Sequence, residues 1–174
     1  MMEKHDREDW VRFCAGDQKA LERIFNRNNR KIYTYSLCLS GDRQLSQDVV
    51  QETFVRLMGH KHNDPAIQSV TNWLFICARN LLFNHFRSNR TSAAGNAHET
   101  TPATVPAMDI ETREFVRMVL GRLDPEERDL ILLREQQQFS IAELAQMLGK
   151  SPEAVRVCLY RIRKKMRKLA GISK

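Results

Sequence analysis

The stretch that most limits what this chain can become runs from Phe139 to Lys168, FSIAELAQMLGKSPEAVRVCLYRIRKKMRK. Ser140 and Glu143 stand three apart, as a capping box requires, and open a short helix. Leu144, Ala145 and Leu148 put apolar atoms on one side of it. Gly149 follows, where a helix end needs a residue tolerant of the left-handed conformation. Ser151 caps a second helix and Pro152 fits its first turn, where a missing N–H costs nothing. That helix buries Val155, Leu159 and Ile162 and turns Arg156, Tyr160, Arg161, Lys164 and Lys165 to solvent. Small Ala145 allows close approach, Gly149 makes the turn and Val155 locks the helices together. This is the pattern of a helix-turn-helix. A plain helical hairpin has the same outline, and the charge argues against it. From Pro152 to Lys174 there are eight Lys/Arg against one acid, Glu153, a surplus equal to the +7 of the whole chain. The positive field is thus concentrated where a recognition helix would meet phosphates.

The rest of the chain is also helical in pattern. No sustained alternation of apolar and polar residues marks a strand, so the expected class is all-α. With 174 residues there is room for one domain or two small ones. No run approaches the roughly 18–20 apolar residues of a membrane-spanning helix. The opening MMEKHDREDW lacks the apolar centre of a signal peptide, and the expected location is the cytoplasm. Cys14, Cys38, Cys77 and Cys158 lie far apart, without metal-ligand spacing, and read as reduced, small apolar residues.

In order, Asp6 to Cys14 reads as a short helix ending at Gly16. Asp17 caps a long helix, Gln18 to Ser40, with Leu21, Ile24, Phe25, Ile32, Tyr35 and Leu39 at helical spacing. Gly41 and Asp42 break it. The next helix is predicted over Ser46 to Met58, with Val50, Phe54, Leu57 and Met58 as a buried stripe. Asp48, Gln51, Glu52, Val55 and Arg56 form another face, polar but for one exposed valine. Gly59 to Val70 is a loop broken by Pro65. His60 and His62 within it, with no cysteine nearby, do not make a metal site. Thr71 is expected to cap a helix through about Arg87, with Trp73, Leu74, Cys77 and Leu81 inward. Phe75, Arg79, Asn80, Phe83, Asn84, Phe86, Arg87 and Arg90 share the remaining surface, a mixture suited to unpaired bases and their backbone. Phe75 and Phe83 fit a core equally well, and that assignment is preferred for them.

Ser88 to Met108 has no periodicity and is rich in Ala, Thr, Ser, Asn and Pro, the composition of a flexible linker of about 20 residues. It divides the chain into a first domain, 1–88, a linker, 89–108, and a second domain, 109–174. The second opens with a helix over Asp109 to Arg122, whose Ile110, Phe115, Met118, Val119 and Leu123 should face a core. Asp124, Pro125, Glu126 and Glu127 start another, through Arg134, carrying Leu130, Ile131 and Leu133. The helix-turn-helix follows.

Two separated stretches now match one family. QDVVQETFVRLM with NWLFICARNLLFNHFR, and LDPEERDLILLREQQQFSIAELAQMLGKSPEAVRVCLYRIRKKMRKL, resemble the bacterial sigma factors of RNA polymerase, in the small extracytoplasmic-function group. That group keeps regions two and four, joined by a linker. The helix-turn-helix is shared with many regulators. Its combination with D-x-x-Q-E-x-F and W-L-x-x-x-A-R-N is far more specific.

The resemblance implies a transcription initiation factor without catalysis or cofactor. By it, Asp48, Gln51, Glu52, Val55 and Arg56 dock on the clamp helices of the polymerase's largest subunit, and the second domain meets the flap of the second-largest. The loop with His62 and Asn63, and the face with Arg79, Asn80, Asn84 and Arg87, match the segment that recognises the minus-ten element and captures a flipped base. Ser151, Glu153, Arg156, Tyr160, Arg161 and Lys164 match the reader of the minus-thirty-five element in the major groove, where Arg156 offers a fork to guanine or phosphate. An anti-sigma protein is implied as a further partner. The chain departs from the family pattern at Ser46-Gln47, where acids are common, at Asn84, where aspartate is usual, and at Val157 and Cys158, where a small and a basic residue are usual. Two other classes fit parts of the sequence. A stand-alone helix-turn-helix regulator needs no polymerase-docking face. A nuclease needs clustered carboxylates for metal ions, and the second domain's acids sit mostly in helix first turns instead.

Overall fold

A computed structural model describes residues 2–60, 67, 69–91 and 110–171. Those residues fold as helices, in two compact units, Met1–Pro102 and Ala103–Lys174.

The first unit holds α1 (Met2–Cys14), α2 (Gln18–Ser40), α3 (Arg43–His60) and α4 (Val70–Thr91). Each start and stop has a local cause. The Asp17 carboxylate accepts the Lys19 N–H at 3.0 Å and begins α2. Gly41, at φ 75°, ends it and returns its N–H to the Leu37 carbonyl. The Asp42 carboxylate accepts the Leu45 N–H, so α3 begins at Arg43, before the expected Ser46. Gly59 and His60 continue α3 where a loop was expected. At α4 the expected cap is displaced. Ser69 Oγ accepts the Asn72 N–H, and the Thr71 hydroxyl turns away to donate to Asp6 at 3.0 Å. The far end of α4 runs to Thr91, so 88–91 are helical rather than linker. The rest of the expected linker, 92–108, lies outside the described residues.

α2 is the hub of this unit, packed against α1, α3 and α4. Ile24, Ile32, Tyr35 and Leu39 from α2 meet Trp10, Leu57, Leu74, Phe75 and Leu82, all buried. Tyr35 and Phe75 pack edge to face at 5.4 Å. Cys77 is buried and the other three cysteines are half-buried, and none of the four is in a disulfide. Trp73 and Leu81, expected inside, are half-buried. Met58, 43% exposed, and half-buried Val50 depart from the expected stripe, and Phe25 on α2 is 38% exposed. α3 packs on α2 through Phe54 and Leu57, and helical spacing leaves Met58 on the rim of that contact.

A buried polar cluster fastens α1 to its neighbours. Asp6, 1% exposed, accepts hydrogen bonds from Arg27 at 2.6 Å, Asn28 at 2.9 Å and Thr71. Asp9 accepts from Arg23 at 2.8 Å and Arg27 at 2.6 Å. Burial alone would push the Asp9 carboxyl up, but the two guanidinium groups outweigh it and hold it below the usual carboxylate range.

The second unit holds α5 (Ile110–Gly121), α6 (Pro125–Ile131), a π turn (Leu132–Gln136), α7 (Ile141–Leu148) and α8 (Pro152–Leu169). α6 gives way to the π turn before the expected end at Arg134. Gln138 follows at φ 64°, a left-handed conformation, with its side chain donating to the Glu135 carbonyl. Val119, Leu123, Leu130, Ile131, Leu133, Phe139, Leu144, Val155, Leu159 and Ile162 form the core. Phe115 and Met118 do not join it; each is 43% exposed, because α5 turns Val119 rather than these two inward. The Ile110 side chain lies outside the described residues. The Ser140–Glu143 capping box is present in both directions, at 3.2 and 2.7 Å. Ser151 accepts the Ala154 N–H, and Gly149 sits at φ 60° between the helices. Each of these follows from residue types within three positions.

Candidate docking and nucleic-acid interfaces

On α3, Asp48, Gln51, Val55 and Arg56 are exposed and Glu52 is half-buried. Arg56 donates to Glu52 at 2.7 Å, one turn apart. Arg56 also reaches the Cys77 thiol; burial pushes that thiol up, against the pull of the guanidinium. Asp48 accepts from Gln44 at 3.1 Å. Beside this polar row lies an open, largely apolar groove between α2 and α3. Leu21, Phe25, Val50, Phe54, Val55 and Met58 line it, together with Gln18, Glu22, Gln47 and Gln51. Gln51 and Val55 thus belong to both the polar row and the groove. The sequence pattern marks Gln51 and Val55 on this surface and misses the rest. Phe25 and Met58 sit at apolar helix positions, and periodicity alone does not say whether such a position is covered.

On α4, Asn80, Asn84 and Arg87 are exposed and share one side at helical spacing. Arg79 is half-buried, its guanidinium 4.4 Å from the Phe83 ring centroid. Phe83 meets Phe86 edge to face at 5.7 Å, and Asn89 pairs with His85 at 2.8 Å. At the other end of α4, Trp73 packs on His60, a contact the pattern analysis missed. Phe75 is core, as preferred, while Phe83 is half-buried. His62 and Asn63 lie outside the described residues.

On α8, Glu153, Arg156, Tyr160, Arg161 and Lys164 are exposed, and Ser151 caps the helix just before them. Glu153 accepts from Arg156 at 3.1 Å. Its carboxyl is held below the usual range, first by its own backbone N–H and then by Arg156. Lys165, expected in solvent, turns back instead. Its ammonium meets Glu127 at 2.5 Å and Asp124 at 3.6 Å, and the Glu127 carboxylate raises its pKa. Arg163 meets Glu135 at 2.6 Å. Two of the cations that the sequence assigns to the charged end of α8 therefore tie it to α6 and the π turn.

A helical unit with an open apolar groove, and a second unit ending in a cationic helix-turn-helix, define a modular all-helical DNA-binding protein. Comparison with known proteins narrows this. Residues 24–92 match sigma-70 region 2 and residues 114–166 match sigma-70 region 4, in that order, and together these cover most of the chain. The chain belongs to the sigma-70 family of RNA polymerase sigma factors, within its extracytoplasmic-function group. One relative is the extracytoplasmic-function RNA polymerase sigma factor SigM of Mycobacterium tuberculosis, 26% identical over 172 residues, 97% of this chain and 86% of SigM. Among solved structures, CnrH in complex with the cytosolic domain of CnrY has a TM-score of 0.74 at 24% identity, covering 98% of this chain and 99% of CnrH. The sigma factor RpoE of Bartonella quintana, solved with the anti-sigma factor NepR, has a TM-score of 0.73 at 18% identity, covering 90% and 99%. These likenesses establish the fold.

Proposed function

We propose that this chain directs core RNA polymerase to two-part promoters and assists their opening. The observation that carries the reading is the pairing, within one chain, of the α3 face and its groove with the cationic face of α8. A stand-alone regulator needs only the second. In this reading, Asp48, Gln51, Glu52, Val55 and Arg56 dock on the clamp helices of the polymerase's largest subunit, and the second unit meets the flap of the second-largest. Arg79, Asn80, Asn84 and Arg87, with His62 and Asn63, take the minus-ten element. There a base leaves the stack, and its capture offsets part of the few kcal/mol that opening costs. Ser151, Glu153, Arg156, Tyr160, Arg161 and Lys164 take the minus-thirty-five element. Residues 92–108 join two DNA-binding units, and binding by one raises the effective concentration of the other. The factor has no chemistry of its own and works in the cytoplasm.

An anti-sigma protein holds the factor inactive. RpoE is solved with such a partner, and the apolar groove beside Val55 suits a partner helix.

The test is transcription in vitro with bacterial core polymerase over a promoter library. Transcripts that require this chain would establish the reading and supply both promoter elements. Absence of both core binding and transcripts would leave the stand-alone regulator as the account. The paired change Asp48→Ala, Glu52→Ala separates the two, since it weakens polymerase affinity and spares DNA binding by the second unit.

A further inference from the structure

The cationic face of α8 also carries two apolar side chains that no core explains. Val157 is 47% exposed and Tyr160 is 66% exposed. Residues 153, 156, 157, 160, 161 and 164 recur at helical spacing, on the side opposite buried Val155, Leu159 and Ile162. Helix formation does not account for the valine, because a β-branched side chain loses rotamer freedom in a helix and forms one less readily than alanine. Packing within the unit does not account for it either, since nearly half of it faces solvent.

Its neighbours restrict what could cover it. Arg156 precedes it, and Arg161 and Lys164 lie one to two turns on. The Glu153 carboxylate draws the Arg156 guanidinium toward the first turn. A partner that covers Val157 must therefore accept cations around it while offering an apolar group to the valine. The major groove of DNA offers both. Phosphates line its edges, and the C5 methyl of thymine is the apolar group among the base edges exposed there. The first turns of a recognition helix are the part that reaches those edges.

We propose that Val157, with Tyr160 one turn on, reads the C5 methyl of a thymine in the minus-thirty-five element. That element then holds an A·T pair at the position Val157 meets. The inference rests on the proposed reading of α8 as the major-groove helix and adds one specified base to it. The chemistry is that of a contact, with no bond made or broken.

Uracil lacks only this methyl and keeps thymine's hydrogen-bonding edge, so it isolates the contact. Full-length protein with core polymerase would first select promoters from a library randomised over the minus-thirty-five region. Each thymine of the selected element, on either strand, would then be replaced by deoxyuridine, and affinity and open-complex formation measured. Loss of one buried methyl predicts a drop of about threefold to fivefold at one position. Val157→Ser should bind the thymine and uracil promoters equally. Val157→Thr, which keeps a methyl, should restore the preference. Both substitutions are at an exposed position and leave the core intact. Uracil tolerated everywhere by the parent protein would overturn the proposal. So would an unchanged uracil penalty in Val157→Ser, or a selected element of G·C pairs alone. Failure of the underlying reading looks different, because no core-dependent transcript would appear from any promoter.

Discussion

The two units reach the same kind of helical core by opposite means. The first is fastened at long range. Asp6 on α1 joins Arg27 and Asn28 on α2 to Thr71 on α4, with partners as many as 65 positions apart, and Asp6 and Asn28 are buried. The second is specified at short range. Ser140 with Glu143, Ser151 with Ala154, and Gly149 between them act within three residues. Its ion pairs, Lys165 with Glu127 and Arg163 with Glu135, are partly exposed and correspondingly weak. The difference teaches that one chain can hold a unit that depends on a few irreplaceable partners beside a unit built from many small, independent terms.

The sharpest way to break this contrast is Asp6→Ala. It leaves Arg27, Asn28 and Thr71 without their buried acceptor and should cost the first unit about 3–5 kcal/mol. Both tryptophans, Trp10 and Trp73, lie in that unit, so tryptophan fluorescence in urea reports on it alone, while helix signal reports on both. A uniform loss across both probes would refute the contrast. Acid should act on the same cluster. The Asp9 carboxyl is held below its unfolded value, so its contribution is complete above about pH 4 and disappears as pH falls through the folded value. The fluorescence transition should weaken over that window.

Next in size is Val55→Asp, which sets a charge at the rim of the apolar groove. Val55 is 48% exposed, so folding should change by less than about 0.5 kcal/mol. Polymerase affinity should fall about tenfold to a hundredfold if the groove is a docking surface, as binding to immobilised core would measure. Ser140→Ala removes a cap and should cost the second unit about 1 kcal/mol, seen in helix signal without a tryptophan change. The smallest change runs the other way. Gln138 is left-handed at φ 64°, so Gln138→Gly relieves backbone strain at the cost of a looser unfolded chain. Thermal unfolding should show a gain of about 0.5–1 kcal/mol in the second unit.

The same contrast explains what the sequence made readable. Caps and turns lie in short windows, so the starts of α7 and α8 and the turn between them could be placed to the residue. The Asp6 cluster could not, because nothing near Asp6 names Thr71 as its partner, and Thr71 looked like a cap for the same reason. Apolar spacing placed Met58, Phe115 and Met118 on apolar faces and assigned them to cores. It identifies which side of a helix is apolar, whereas coverage depends on where neighbouring helices stop. On α3, the polar row and exposed Val55 were legible from the residues, while the docking role proposed for them came from family resemblance. Arg79 was expected on an open face, and its place over Phe83 needed the fold.

The turning back of Lys165 and Arg163 bears on how the protein would respond to ionic conditions. Binding to a duplex releases about one condensed counterion for each phosphate neutralised, so the logarithm of affinity falls with the logarithm of salt at a slope near −0.9 per contact. Counting every cation on α8 would give a slope of about −6. With Lys165 and Arg163 turned toward carboxylates, Arg156, Arg161, Lys164, Arg167 and Lys168 remain to displace ions, and the helix's slope drops to about −4.5. Promoter binding through this helix would then tolerate a rise in cellular salt better than its charge suggests.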